Sequence, residues 1–284
     1  MIPRRGAPAA SAPAVPAPGA LASAPTTAPG QLSERDIAGL VFVGEMYGVQ
    51  LDQLATVLGM SEQRAGGFAL RWRRLRYAES ARLGPGRPWI WLTRRGLGVC
   101  GLPYTATAPA LSRLAHIRAV TAVRLAMQAT AGYAEADAYW RSERRLRARA
   151  GGRVGLREHF PDAEIHWPDS ANPDRASPDG ASPDRASPDG ASVAWAGECW
   201  AVEAELTRKT VARTAAIMTE ILTRTGDYGC PAAEARVPGR EPRHARVLYL
   251  CSPAARRTVA RARDALGGYA ARVEIRDLPP GATT

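Results

Sequence analysis

Between Pro173 and Ser192 the sequence runs PDRAS, PDGAS, PDRAS, PDGAS without a break in the pattern. A proline at every fifth position removes a backbone donor and clashes with the preceding helical turn, so neither a regular helix nor an inner strand fits there. The small polar remainder has too little apolar surface to form a core. Residues 170–192 therefore read as a disordered insertion. Loop-closure entropy rises by only about 0.6 kcal/mol per doubling of length, so a fold tolerates such an insertion at a hairpin tip. Its aspartates are not candidates for chemistry. With the tract removed, HFPDAEIHW (159–167) and ECWAVEAEL (198–206) stand at hairpin distance from each other.

Both stretches alternate with the two-residue period of a strand. In the first, Ala163, Ile165 and Trp167 share one face, leaving Asp162, Glu164 and His166 on the other. In the second, Trp200, Val202, Ala204 and Leu206 share one face, leaving Glu203 and Glu205 on the other. Pairing with the apolar residues on a common side brings Asp162, Glu203 and Glu205 together. Carboxylates this close repel unless a cation intervenes. Mg²⁺ is commonly held by one or two carboxylates, with water and phosphate oxygens completing its octahedron, and Mn²⁺ suits the same oxygen donors. Held by Asp162 and Glu203, such an ion can polarise a phosphodiester and lower the pKa of an attacking water. Lys209, the one lysine among 38 Lys and Arg residues, follows closely. Its ammonium can stabilise charge on phosphorus or, desolvated, act as a base, which arginine with a pKa above about 12 cannot. Asp162, Glu203, Glu205 and Lys209 are the catalytic candidates on this reading, with Asp162 and Glu203 as metal ligands. Two simpler readings stay open: Lys209 is an ordinary surface residue, and the glutamates pair with arginines across a solvated sheet face.

Upstream, SERD from Ser33 to Asp36 forms a capping box ahead of the apolar positions Ile37, Leu40, Val41, Val43 and Met46, which predicts a first helix. A second spans about Asp52 to Leu58 and ends at Gly59. Ser61 caps a third, running to about Tyr77, whose inner side is Ala65, Phe68, Trp72 and Leu75. Its outer side carries Gln63, Gly67, Arg71 and Arg74, flanked by Arg64, Arg73 and Arg76. ARLGPGRPWIWLT then reads as strand, Gly/Pro turn and strand, a hairpin bearing Arg82 and Arg87. Three helices followed by such a hairpin predict a winged helix-turn-helix. Arg64, Arg71, Arg73, Arg74, Arg82 and Arg87 are then the DNA-binding candidates. The alternative is a plain three-helix bundle with a solvated basic face.

The formal net charge of +11 is nearly all guanidinium, which favours nucleic acid as a partner, although an Ala, Arg, Gly and Pro bias through the chain contributes to it. No basic amphipathic helix or run of about 18 apolar residues occurs, so no membrane partner is expected. The prolines of residues 1–32 interrupt any apolar signal core, and that segment reads as a disordered tail. Cys100, Cys199, Cys230 and Cys251 are scattered, without a C-x-x-C pair, which argues against zinc or a disulfide framework and for a reducing cytoplasm.

A long helix is expected over 110–131 and a basic one over 140–150. TVARTAAIMTEILTRT reads as a helix, ARVLYLC as a buried strand, Ser252-Pro253 as the start of another helix and ARVEIRDL as a last strand. Strand, helix, strand at this spacing implies parallel crossovers and an α/β second half. His116 reads as a packing or capping residue, whereas His159 and His166, flanking the carboxylate strand, are better site candidates. Glu143 reads as an arginine-paired surface residue. GPGRP lacks the Gly-Lys-Ser/Thr signature of a phosphate loop and is a turn.

LSERDIAGLVFVGEMYGVQLDQLATVLG, WRSERRLR, HFPDAEIHW and WAVEAELTRK, with the helix and VLYLC that follow, carry a resemblance to the actinobacterial replication-relaxation family of plasmid and mobile-element proteins. The likeness runs roughly from Leu32 to Asp277 without the repeat tract, and H-x-P-D and E-x-E-L-T-x-K are its most specific parts. It implies a part in plasmid replication, relaxation or transfer, with double-stranded DNA and other replication or mobilisation proteins as partners. The second half also resembles the PD-(D/E)xK nuclease superfamily, whose core pairs an Asp on one strand with Glu-x-Lys on the next. Pro161-Asp162 matches the first element and Glu203 the second. Glu205 stands where lysine is expected; some members use Glu-x-Glu, and Lys209 is placed to supply the ammonium.

The expected architecture is α/β within an α+β whole. A winged helix-turn-helix over 33–109 precedes a nuclease-like domain with a mixed central sheet over 110–278, and 279–284 form a disordered tail. The expected function is that of a cytoplasmic DNA-binding protein of plasmid or mobile-element replication. The alternatives are an active metal-dependent nicking endonuclease and a transcriptional or copy-number regulator with a degenerate acidic site.

Overall fold

The computed structural model describes residues 32–151, 159–168, 195–228 and 241–283. The disordered segments expected over 1–32 and 170–192 lie outside the described residues, Leu32 excepted.

Helix α1 (Glu34–Glu45) starts at the capping box: Ser33 Oγ accepts from the Asp36 N–H, and the Asp36 carboxylate accepts from the Ser33 N–H. The short strand β1 (Val49–Gln50) leads into α2 (Leu51–Leu58), which stops at Gly59 with φ +61°. Helix α3 (Glu62–Arg74) is capped by Ser61 and ends three residues before the expected Tyr77. The chain turns there through Arg76 at φ +60° to begin β2 (Ala78–Ala81), which pairs antiparallel with β3 (Trp89–Leu92). The hairpin is as expected, but β1 adds a third strand in the order β1-β3-β2. Thr93 caps α4 (Arg94–Val99), where Gly96 lies so near Tyr77 that a Cβ would sit 1.9 Å from its carbonyl oxygen.

A turn of 3-10 helix (Leu111–Arg113) and α5 (Leu114–Gln128) fill the expected long helix, followed by α6 (Ala131–Glu135). The stretch 140–150 is not one helix. Tyr139–Ser142 forms β4, because Trp140 is drawn into the core opposite Ile165, and α7 (Glu143–Arg149) starts at the Ser142 cap. Then come β5 (Ala163–His166), β6 (Cys199–Glu205), α8 (Val211–Thr223), β7 (Arg246–Cys251), α9 (Pro253–Asp264), a 3-10 turn (Gly267–Arg272) and β8 (Val273–Asp277). The five strands lie in the order β4-β5-β6-β7-β8. The first three are antiparallel, and β6, β7 and β8 are parallel, joined through α8 and α9. The chain is thus mixed α+β with a mixed five-stranded sheet.

One face of the sheet (Ala163, Ile165, Trp200, Val202, Leu248) belongs to the same apolar cluster as Leu40, Phe42, Leu54 and Trp72 of the helical half. The other face (Ala201, Val247, Tyr249, Cys251) packs on α8 and α9 through Met218, Ile221 and Val259. The core therefore crosses the boundary expected at 109/110. Polar contacts reinforce the junction: Glu45 accepts from the hydroxyls of Tyr104 (2.7 Å) and Ser142, and Arg144 donates to the carbonyls of Gly44 and Thr105 (2.6 Å each). The C-terminal segment differs from the expected tail. Residues 279–283 form a turn with Ala282 buried, and the Gly281 carbonyl accepts from Arg118 Nε (3.0 Å), whose guanidinium also pairs with Asp52.

Candidate functional site

Strands β5 and β6 pair in the register that their alternation requires, with Ala163 opposite Val202 and Ile165 opposite Trp200. Asp162, just ahead of β5, is set beside Glu203. Its Oδ2 accepts from the Ala204 N–H (2.8 Å), and its Oδ1 meets Nε2 of His116, delivered by α5 (2.7 Å). His159 Nε2 meets Glu203 Oε1 (2.7 Å), and the His159 N–H donates to Glu220 of α8 (3.1 Å). Lys209 Nζ lies 2.5 Å from Glu205 Oε2. Tyr249 pairs with Glu203 across β6 and β7; its buried hydroxyl has no hydrogen-bond partner among the described residues. A cavity of about 20 Å³ lined by Tyr47, Arg113, His116, Glu143 and Asp162 adjoins Asp162, with room for one water molecule.

The expected convergence of Asp162, Glu203 and Glu205 on one ion is not formed. None of the three belongs to a group of three donor atoms within 4.8 Å of one another among the described residues. The reason is local neutralisation: each carboxylate already has its own cationic or proton-donating partner. Sequence reasoning missed His116 as that partner of Asp162, because its helical position looked like packing. Glu143 is paired with Arg113 (2.7 Å) and Arg147 (2.8 Å), as expected, but it is buried.

The environments of Asp162 and Glu203 push their proton affinities apart. Burial alone would raise Asp162, but His116 and the Ala204 N–H outweigh it, so its pKa is lowered. Burial raises Glu203, and the Asp162 charge adds to that, so the net shift is upward despite His159 and Lys209. For His116 and His159 burial works downward, and the carboxylates of Asp162 and Glu203 respectively outweigh it, so both are raised. A group whose folded pKa is raised stabilises fully below its unfolded value, about 6.5 for histidine, and loses that contribution as pH climbs through the folded value. The raised Glu203 disfavours its ionised form and acts in the same direction. Protein in chelator is therefore expected to lose stability as pH rises from about 6 to 8.5 in urea-unfolding series, and His116→Gln to flatten the slope. A parent profile that rises over this window would contradict the pairing.

A second cluster sits at the other end of the same sheet face. Glu164, Cys199 and His244 each offer a donor atom, all within 4.8 Å, and this buried group could hold a metal ion. His166 lies 2.9 Å from Glu164 and 3.6 Å from Cys199 Sγ. The alternation already set Glu164 and His166 on one face, yet the scatter of the cysteines argued against a metal. His244 precedes β7, and no spacing in the sequence links it to the other three.

The arginines of the helical half divide. Arg71 is engaged with Asp36 (2.7 Å), which is buried, and the exposed Arg87 pairs with Glu62 (2.7 Å). Arg64, Arg73 and Arg74 of α3 and Arg82 after β2 are exposed and form no ion pair among the described residues. No helix among the described residues is long and apolar enough to cross a membrane.

No protein-family model, curated protein or solved structure matches the chain. The functional reading therefore rests on side chains.

Proposed function

We propose that the chain is a double-stranded DNA-binding protein of plasmid or mobile-element replication, relaxation or transfer, whose sheet carries a Mg²⁺-dependent nicking centre. The helical half acts as a winged helix-turn-helix, α3 entering a major groove with Arg64, Arg73 and Arg74, and the β2–β3 hairpin laying Arg82 on phosphate. The second half acts as a domain of the PD-(D/E)xK kind. The observation that carries this reading is the seating of the chain's one lysine on Glu205, beside a buried Asp162–Glu203 pair and the unpartnered Tyr249 hydroxyl.

Asp162 and Glu203 would hold Mg²⁺, or Mn²⁺ in its place, each retaining oxygen lone pairs beyond those already engaged. The ion supplies Lewis acidity and a more acidic water. The protein residues do the rest. Lys209, swung from Glu205, meets the negative charge growing on the phosphate, and Glu205 keeps the ammonium within reach. His159 would orient Glu203 through its 2.7 Å contact, and the Tyr249 hydroxyl, without a partner among the described residues, would be a donor for a phosphate oxygen.

The test is conversion of supercoiled plasmid to open circle by the full chain in Mg²⁺ or Mn²⁺, beside an Asp162→Ala/Glu203→Ala double variant and a gel-shift control. Relaxation by the parent alone, abolished by chelator, is the expected result. A second reading has its own observation: His116, His159 and the Ala204 N–H already satisfy these carboxylates, as in a purely structural network. DNA binding without relaxation by the parent supports that reading, an accessory or copy-number regulator, and overturns the nicking centre.

A further inference from the structure

We propose that Cys199, His244, Glu164 and His166 form a structural zinc site, separate from the Asp162–Glu203 centre. Thiolate, imidazole and carboxylate together are a donor set that zinc accepts in a tetrahedron, whereas Mg²⁺ avoids sulfur. Zinc bonds of about 2.0 to 2.3 Å hold neighbouring donors roughly 3.4 to 3.7 Å apart. Cys199 Sγ and His166 Nε2 are already 3.6 Å apart, and Glu164 lies 2.9 Å from Nε2 of both His166 and His244. The two carboxylate contacts use different oxygens, Oε2 toward His166 and Oε1 toward His244. The donor atoms already within 4.8 Å of one another are those of Glu164, Cys199 and His244, so closure requires His166 to move in as the fourth ligand.

The outer contacts have the form that zinc ligands need. His244 Nδ1 lies 3.3 Å from the Ile221 carbonyl, an acceptor, so Nδ1 carries the proton. Nε2, the nitrogen left to bind, then faces Glu164 Oε1 at 2.9 Å, so a metal ion entering there would meet both donors at once. A carbonyl that fixes the far nitrogen is the usual support of a metal-bound imidazole, and hydrogen bonds likewise orient a ligating carboxylate. Arg243 supplies these to Glu164 through Nε (2.6 Å) and Nη2 (3.0 Å). The other charges facing the cluster are Arg141, 3.9 Å from Glu164, and Asp227, which pairs with Arg243. Binding transfers the Cys199 thiol proton to solvent, so the site gains one net positive charge: two from the ion, less the proton released. The ion would tie the start of β6 to the end of β5 and to the segment entering β7, closing the sheet end opposite the nicking centre.

The experiment measures zinc in full-length protein after dialysis and follows Co²⁺ replacement by absorbance. Roughly one zinc per chain and a thiolate-to-cobalt charge-transfer band are expected. Both should fall at least about tenfold in Cys199→Ser and persist in Asp162→Ala/Glu203→Ala. Should Cys199→Ser fail to fold, the parent itself decides: zinc should protect Cys199 from alkylation, mapped by mass spectrometry, and chelator should expose it. Folded parent that neither retains zinc nor gives the cobalt band overturns the site. So does zinc that leaves with the Asp162/Glu203 substitutions.

Discussion

Glu203→Gln is expected to slow metal-dependent plasmid relaxation by about 100-fold or more while leaving the gel shift unchanged. Changes to the outer partners of metal ligands typically cost about 10- to 100-fold, and the loss of an anionic ligand should cost no less. Glutamine matches the shape of Glu203 and can still accept from His159, so the 5% exposed site should stay packed and the change isolates charge. Lys209 then becomes informative. Lys209→Arg keeps a cation near Glu205 but abolishes any proton transfer by that residue, whereas Lys209→Met removes both. If arginine restores most of the rate lost with methionine, the ammonium acts by charge. Relaxation by Glu203→Gln at the parent rate would remove Glu203 from the centre.

Trp72→Ala is expected to cost about 3–5 kcal/mol of stability, a drop of roughly two to nearly four orders of magnitude in the folded-to-unfolded ratio. Trp72 has no exposed surface, and a Cβ at Gly39 would come within 2.9 Å of its ring, so α1 and α3 touch through this pair. Its Nε1–H donates to Asp36 Oδ1 (2.8 Å), and Phe68 stands edge-on at 6.1 Å. Truncation opens a cavity between the helices and takes a donor from a buried carboxylate. Trp72→Phe keeps most of the volume but loses the donor, and should cost about 1–3 kcal/mol. Urea unfolding at fixed pH measures both; a loss below about 1 kcal/mol for the alanine variant would show that the helices do not depend on this contact.

Local chemistry made much of the fold legible. Ser33, Ser61, Thr93 and Ser252 announce helix starts because a side-chain oxygen satisfies a free N–H there, and each does so in the structure. Alternation fixed the faces of β5 and β6, and hence which carboxylates stand on one side. The features that were not legible depend on distant partners. Trp140 enters a strand because Ile165 and the core lie beside it, against the helical pattern of its neighbours. Arg71 turns to Asp36, 35 residues earlier in the chain, which no helical wheel reveals. His116 reaches Asp162 over 46 residues, and His244 reaches Glu164 over 80. The carboxylates of the candidate site and the flanking His159 could be read from sequence, but His116, which lowers the pKa of Asp162, could not.

The apolar cluster that runs from α1 into the central sheet has a consequence for how DNA would be handled. A helical half hinged to its sheet could search along the duplex after gripping it. Here Arg73 and Arg74 are set at a constant distance from Glu203 by side chains that would have to leave the core before either half moved. On the proposed function the molecule would work as a calliper: the bond attacked would lie at one fixed offset from the bases gripped, and loosening that core would blur the offset before it weakened the grip.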